Sequence, residues 1–224
     1  MGETVSETLG RRAVHVWLFR LSELPEPVPA ELDEAERARA AGFAFEEDRR
    51  RFVAARACLR RTCSRYVADR GGAVVLEYEN GRPVVAGGRL ACNLSHSGDL
   101  IAVAVARHAV GIDVEQLRGD EPDPALVTRV CTPAERQRLE QAPPEERERI
   151  FLSQWVRREA LGKALGIGLD LDLRPRALTA FPRAGGVRHG GWWRVHALVT
   201  PDGYVGAVAA RGAATRLLTR RNAA

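Results

Sequence analysis

The sequence predicts an α+β protein built as two similar α/β lobes in tandem, residues 1–108 and 109–224, with a ligand cleft between them. The first sign is a pair of helices of one design. DRRRFVAARACLRRTCSRYV (Asp48 to Val67) sets Phe52, Val53, Ala55, Leu59 and Cys63 at helical spacing after a run of charges. ERERIFLSQWVRREALGKALG (Glu146 to Gly166) repeats that order with Ile150, Phe151, Trp155 and Ala160. The second sign is a pair of alanine/valine strands, IAVAVA (Ile101 to Ala106) and VGAVAA (Val205 to Ala210), preceded by the turns SGD and PDG. The third is spacing: Phe52 and Phe151 lie 99 residues apart and the two strands 104, offsets that agree within five residues. That agreement favours duplication over the ordinary alternation of helices and strands. A duplicated unit tends to bind its ligand where the halves meet.

The rest of the chain fits around these elements. HAVGIDVEQL, from His108, joins the halves and reads as a strand, while the proline-rich PVPAELDEAERARA and QAPPEERER read as loops entering helices. At 224 residues, 45% hydrophobic and 28% charged, the chain is long enough to bury a core and has the balance of a globular protein. No apolar run approaches the ~18 residues of a membrane span, and the opening MGETVSETLGRR has no apolar stretch of the kind that heads a secretory signal. A cytoplasmic protein is expected. Cys58, Cys63, Cys92 and Cys131 form no CxxC pair, which argues against a zinc site or a disulfide framework and for small buried side chains. A net charge of +5 and a pI near 9.5 favour an anionic partner: a nucleic acid, a phosphorylated cofactor or an acidic protein.

Lys163 is the only lysine beside 33 arginines. It stands four residues after Glu159 on a predicted helix, the spacing of an ordinary ion pair. A lysine is also a compact point charge able to approach a phosphate oxygen or give up a proton. In GIDVEQL (Gly111 to Leu117), Asp113 and Glu115 alternate with Ile112 and Val114, so both carboxylates share a strand face. That face is either solvated or a hard-cation site, with Glu159 a plausible third oxygen ligand. In CNLSHSGDL, Ser95 and His96 are strand neighbours that face opposite ways. They make a poor nucleophilic pair, and no GxSxG elbow is present. His96 reads either as a donor to an anion or as a structural histidine. Arg82 projects from the predicted turn GRPVV. Arg49, Arg50, Arg51 and Arg56 crowd a helix start, where the macrodipole also favours anions.

In this order and with these separations, NLSHSG, GIDVE and WVRREALGK resemble the surfactin-type (Sfp-type) 4′-phosphopantetheinyl transferases. That family's patterns are an SHS-type turn, G-[IV]-D-x-E and W-x-x-K-E-x-x-x-K, and the RF-x-x-A-R-A helix and the G-[KR]-P turn agree. The resemblance runs from about Glu36 to Ala210. It implies a pseudo-twofold pair of α+β lobes with coenzyme A in the cleft. The implied reaction is transfer of the phosphopantetheine arm to a serine of an apo acyl or peptidyl carrier protein, with release of adenosine 3′,5′-bisphosphate. It further implies magnesium held by Asp113, Glu115 and Glu159, and Lys163 against the pyrophosphate. Ser95, His96, Arg51, Arg56 and Arg82 would contact the nucleotide and its phosphates. The serine proton would pass to Glu159 or to a metal-bound water, and the sequence leaves both open. Where the pattern has a lysine before the glutamate this chain has Arg158, which keeps the charge for coenzyme A but not an easily released proton.

A monomer is expected, with an acidic carrier docking near Leu126 to Leu139 through Val127 and Val130. The sequence does not choose among fatty-acid, polyketide and peptide-synthetase carriers. Three other readings compete. A magnesium-dependent nucleotide hydrolase would use the same carboxylates without a protein acceptor. A nucleic-acid-binding module would explain the pI but not Asp113, Glu115 and Glu159, and the chain lacks the C2H2, RNP-type or aromatic-interleaved basic patterns such modules carry. A catalytically dead homologue is countered by the intact carboxylate set.

Overall fold

The structure, a computed structural model, describes residues 9–26, 31–67, 74–79, 82–87, 90–167, 184–188, 191–212 and 216–221. The chain runs β1 (Ala13–Arg20), α1 (Glu34–Ala41), α2 (Glu46–Ser64), β2 (Leu76–Glu79), β3 (Arg82–Val85), β4 (Ala91–Ser97), β5 (Leu100–Ala106) and β6 (Val110–Gln116). It continues through α3 (Pro124–Val130), α4 (Pro133–Gln141), α5 (Pro144–Leu165), β7 (Ala184–Arg188), β8 (Trp192–Ala197), β9 (Tyr204–Arg211) and β10 (Arg216–Arg221). The predicted α+β class is therefore found. The two predicted helices are α2 and α5, shifted by one to three residues at their ends, and the predicted strands are β5 and β9.

Two sheets form, in the orders β10-β1-β5-β4-β3-β2 and β6-β9-β8-β7. Their neighbours pair antiparallel except β1 and β10, which run parallel from Ala13↔Arg216 onward. The period-two alternation of the strands divides the core into layers. Trp17, Ile101, Val103 and Val105 pack outward against Ala54, Ala55, Cys58 and Leu59 of α2. Their strand neighbours Val14, Val16, Ala102 and Ala104 face the second sheet, meeting Ile112, Val114, Val208 and Ala210. On its far side, Val205, Ala207 and Ala209 of β9 pack on Val156, Ala160, Leu161 and Ala164 of α5. The result is helix, sheet, sheet, helix. With both faces of β5 covered, its run of seven residues is wholly buried, and each large aliphatic side chain so buried contributes about 1.5–3 kcal/mol.

Sheet membership follows the division at 108/109 for every described strand but one. β10 returns to the first sheet, which the sequence reading did not anticipate. The predicted GRPVV turn is also different: Arg82 opens strand β3, and its side chain lies outside the described residues. All four cysteines are free and buried, as expected of small core side chains. Among the described residues no helix is long and apolar enough to cross a membrane.

One glycine sets how closely β6 and α5 approach. A Cβ on Gly111 would lie 2.1 Å from the Ala160 carbonyl oxygen and 2.4 Å from the Ala164 nitrogen. Both are helix backbone, so any side chain at 111 would push α5 away. This contact turns the face of β6 bearing Asp113 and Glu115 toward the face of α5 bearing Glu159 and Lys163. At its C-terminus α5 stops on Gly166, whose φ of 72° is left-handed and whose N–H returns to the Gly162 carbonyl.

Candidate active site

A cavity of about 380 Å³ opens beside the junction of β4, β6, α2 and α5. It is lined by Arg39 of α1, Phe52, Ala55 and Arg56 of α2, and Leu94, Ser95 and His96 of β4. Asp113 and Glu115 of β6 and Trp155, Glu159 and Lys163 of α5 complete the wall. Seven of the candidate site residues read from the sequence thus meet at one place: Arg56, Ser95, His96, Asp113, Glu115, Glu159 and Lys163.

Asp113 is at the centre, 4% exposed. Its Oδ1 accepts from Ser95 Oγ at 2.8 Å and from Lys163 Nζ at 2.7 Å, while its buried Oδ2 has no hydrogen-bond partner. The Lys163 ammonium also donates to the Ile112 carbonyl at 3.2 Å. The expected Glu159–Lys163 ion pair is therefore replaced by one across the helix–strand contact, because Gly111 brings α5 onto β6. Glu115 accepts from Ser97 Oγ at 2.7 Å. Among the described residues no three His, Cys, Asp or Glu side chains converge into a ready-made ion cage. Asp113, Glu115 and Glu159 share the wall and act on one another electrostatically.

That crowding of anions adds to the effect of burial. Burial, then the charges of Asp113 and Glu115, push the Glu159 carboxyl up to about 7 against the pull of Lys163. Burial raises Glu115 as well, with Asp113 adding to it and the Ser97 hydroxyl opposing it. Desolvation in the cavity, with Arg51, Lys163 and Arg56 nearby, holds the His96 imidazole below its ordinary value.

The two carboxyl shifts fix a sign. Both groups bind their protons more tightly folded than unfolded, so their stabilisation is full below the ordinary carboxylate range and is lost as pH rises, for Glu159 through about 7. Glu159→Gln cannot ionise. Its advantage in melting temperature over the ligand-free parent should grow from about pH 5 to about pH 8. Parallel melting profiles for the two proteins would contradict the assignment.

The basic residues divide. Arg56 reaches the cavity over the Phe52 ring, donating to the Tyr78 hydroxyl at 2.9 Å with Glu36 at 3.7 Å behind it. Arg51 instead holds the turn after β4, donating to the Gly98 carbonyl at 3.3 Å and pairing with Asp48. Arg49 and Arg50 are paired with Glu46 and Glu26 on the surface. Arg158 is 5% exposed and turned away from the cavity, donating to Glu135 at 2.8 Å and to the Gln154 carbonyl. Glu135 closes the capping box of α4, so Arg158 ties α4 to α5. In the proposed docking segment Val130 is buried with Cys131, Leu139 and Phe151 and offers no surface, while Leu126 is exposed.

Three contributors escaped the sequence reading. Arg39 lines the cavity and lies over Phe52 at 5.3 Å, unremarked within an arginine-rich helix. Asn93 and Ser97 engage β6 from β4. Their signal was their period-two spacing with Ser95 on one strand face.

Residues 109–205 match the family model described as the 4′-phosphopantetheinyl transferase superfamily. The chain is similar to the 4′-phosphopantetheinyl transferase HetI of Nostoc sp., 36% identical over 216 residues, covering 92% of this chain and 90% of that protein. It is also 34% identical to the 4′-phosphopantetheinyl transferase psf-1 of Bacillus pumilus, over 61% of this chain and 59% of that one. A phosphopantetheinyl transferase of Thraustochytrium sp. is 29% identical over 77% of this chain and 68% of its own.

Proposed function

Because the chain belongs to the 4′-phosphopantetheinyl transferase superfamily, we propose that its cavity takes coenzyme A and passes the phosphopantetheine arm to a serine of an apo acyl or peptidyl carrier protein. The observation that carries this reading is the mixed charge of the cavity wall. Asp113, Glu115 and Glu159 line it together with the cations Arg39, Arg56 and Lys163, and Lys163 is paired with Asp113. Such a wall suits a pyrophosphate bound together with a divalent cation, which carboxylates and phosphate oxygens hold jointly.

The residues present fit magnesium. The orphaned Oδ2 of Asp113 and the mutual repulsion of Asp113, Glu115 and Glu159 are both relieved by a cation. Asp113, Glu115 and Glu159 would hold it, and when bound it would neutralise charge on the pyrophosphate. In the transfer, the serine oxygen forms a bond to the phosphorus that bears pantetheine, and the bond from that phosphorus to the bridging oxygen breaks. Adenosine 3′,5′-bisphosphate leaves with the electron pair, and the serine proton goes to the Glu159 carboxylate, which lines the same cavity. Lys163 faces the departing bisphosphate, and Arg39, Arg56 and His96 hold phosphate groups. Ser95 acts through Asp113, and Arg51 acts by fixing the turn after β4, the strand that carries His96.

In this reading the two sheets with α2 and α5 are duplicated lobes, the cavity is the cleft between them, and the enzyme works as a cytoplasmic monomer. Its net charge of +5 suits an acidic carrier. Intact-mass measurement of an apo carrier incubated with coenzyme A and magnesium tests the reaction. The carrier should gain the mass of the phosphopantetheine group, and chelation should stop the gain. Release of adenosine 3′,5′-bisphosphate without a carrier would instead mark a hydrolase.

A further inference from the structure

β6 is the edge strand of the second sheet, and an edge presents a row of unpaired N–H groups. Here side chains of β4 satisfy them. The Ile112 N–H donates to Asn93 Oδ1 at 3.0 Å, the Val114 N–H to Ser95 Oγ at 3.4 Å and the Gln116 N–H to Ser97 Oγ at 3.1 Å. Alternate residues of one strand thus meet alternate residues of the other, and the two sheets are joined by a ladder whose acceptors are side chains.

Two of the rungs do more than accept. Ser95 Oγ donates its proton to Asp113 and Ser97 Oγ donates its own to Glu115, at 2.8 and 2.7 Å. A cap for a strand N–H needs only an acceptor. Each serine also spends its single donor on the carboxylate one residue earlier, a charge-assisted bond that fixes the carboxylate's direction. The Asn93 rung has no such second task, because the residue before Ile112 is Gly111.

From this geometry we propose that Ser97 is a positioning residue for the Glu115 carboxylate, aligning it for the divalent cation while pinning the strand that carries it. The inference rests on the reading that Glu115 helps to hold magnesium. Ser97 is 8% exposed and absent from the cavity wall, so it acts through Glu115 and not on substrate.

The test is a magnesium chloride titration of the full chain with coenzyme A, read by melting temperature and, separately, by turnover with a carrier. Ser97→Ala should raise the half-saturating magnesium concentration by about 10–100-fold in both readouts. Ser97→Thr, which restores the hydroxyl, should return it to within about threefold of the parent. Asn93→Ala removes a rung that touches no carboxylate. It should lower the melting temperature and leave the magnesium midpoint unchanged. If Ser97→Ala does not accumulate folded, Ser97→Cys, with its weaker donor, should give the same shift in smaller measure. A Ser97→Ala protein that melts lower but titrates like the parent would overturn the proposal and leave only a structural rung. A parent whose melting does not respond to magnesium would overturn the underlying metal reading instead.

Discussion

Asp113→Ala should lower carrier modification by about 10³-fold or more, the largest single loss expected in this protein. Three consequences combine at one side chain. The proposed cation loses an oxygen ligand, the Lys163 ammonium loses its 2.7 Å anchor, and Ser95 loses the acceptor for its proton. Asp113→Asn separates charge from shape, since it can keep one oxygen for Ser95 while removing the anion. It should be nearly as inactive as the alanine variant and melt closer to the parent. Holo-carrier formation by intact mass, set beside melting curves, gives both numbers. Activity near that of the parent at low magnesium would remove Asp113 from the metal site.

Lys163 follows. Its replacement by alanine should cost about 2.7–4 kcal/mol in turnover, the penalty of losing one preorganised donor at a developing oxyanion. The ammonium has three donors; Asp113 and the Ile112 carbonyl engage it while it lines the cavity, which leaves it able to meet a phosphate oxygen. Charge on the departing bisphosphate grows as the bond breaks, so turnover should fall more than coenzyme A binding. Lys163→Arg is the decisive comparison. A planar guanidinium keeps the charge but cannot place its donors on both Ile112 and Asp113 in the same compact way. Most turnover should be lost with little change in melting temperature. An arginine variant as fast as the parent would reduce Lys163 to one half of an ion pair.

The long, repetitive elements were legible in the sequence because their burial is one-sided or complete. α2 shows a clear stripe because one face meets the first sheet, and β5 is continuous because both faces are covered. The full setting of α5 was harder to read. Its middle and C-terminal part pack on the second sheet, while Phe151 packs with Val130, Cys131 and Leu139 of the α3–α4 region. The site carboxylates were found from period-two and i,i+4 spacing. Their true partnerships were not, because spacing along one element says nothing of what a neighbouring element brings. Lys163 stands one helical turn from Glu159 in the sequence yet is bonded to Asp113. Arg158 sits next to Glu159 in sequence, yet its guanidinium is committed to Glu135 on the other side of the helix. The return of β10 to the first sheet has no local signature in its residues.

That returning strand has a consequence for biosynthesis. Ala13 to Leu18 of β1 pair with Arg216 to Arg221, so the outer flank of the first sheet stays open while nearly two hundred intervening residues are being translated. β4 meanwhile carries polar side chains whose partners, the N–H groups of β6, come later in the chain. A nascent N-terminal half therefore leaves the ribosome with one strand position vacant and three polar side chains unmatched. The β1–β10 pairing, of such long sequence separation, forms late and slowly. The two halves are better regarded as one cooperative folding unit than as modules that mature in turn: the cavity residues, Arg39 to Lys163, are all made before the strand that completes the first sheet.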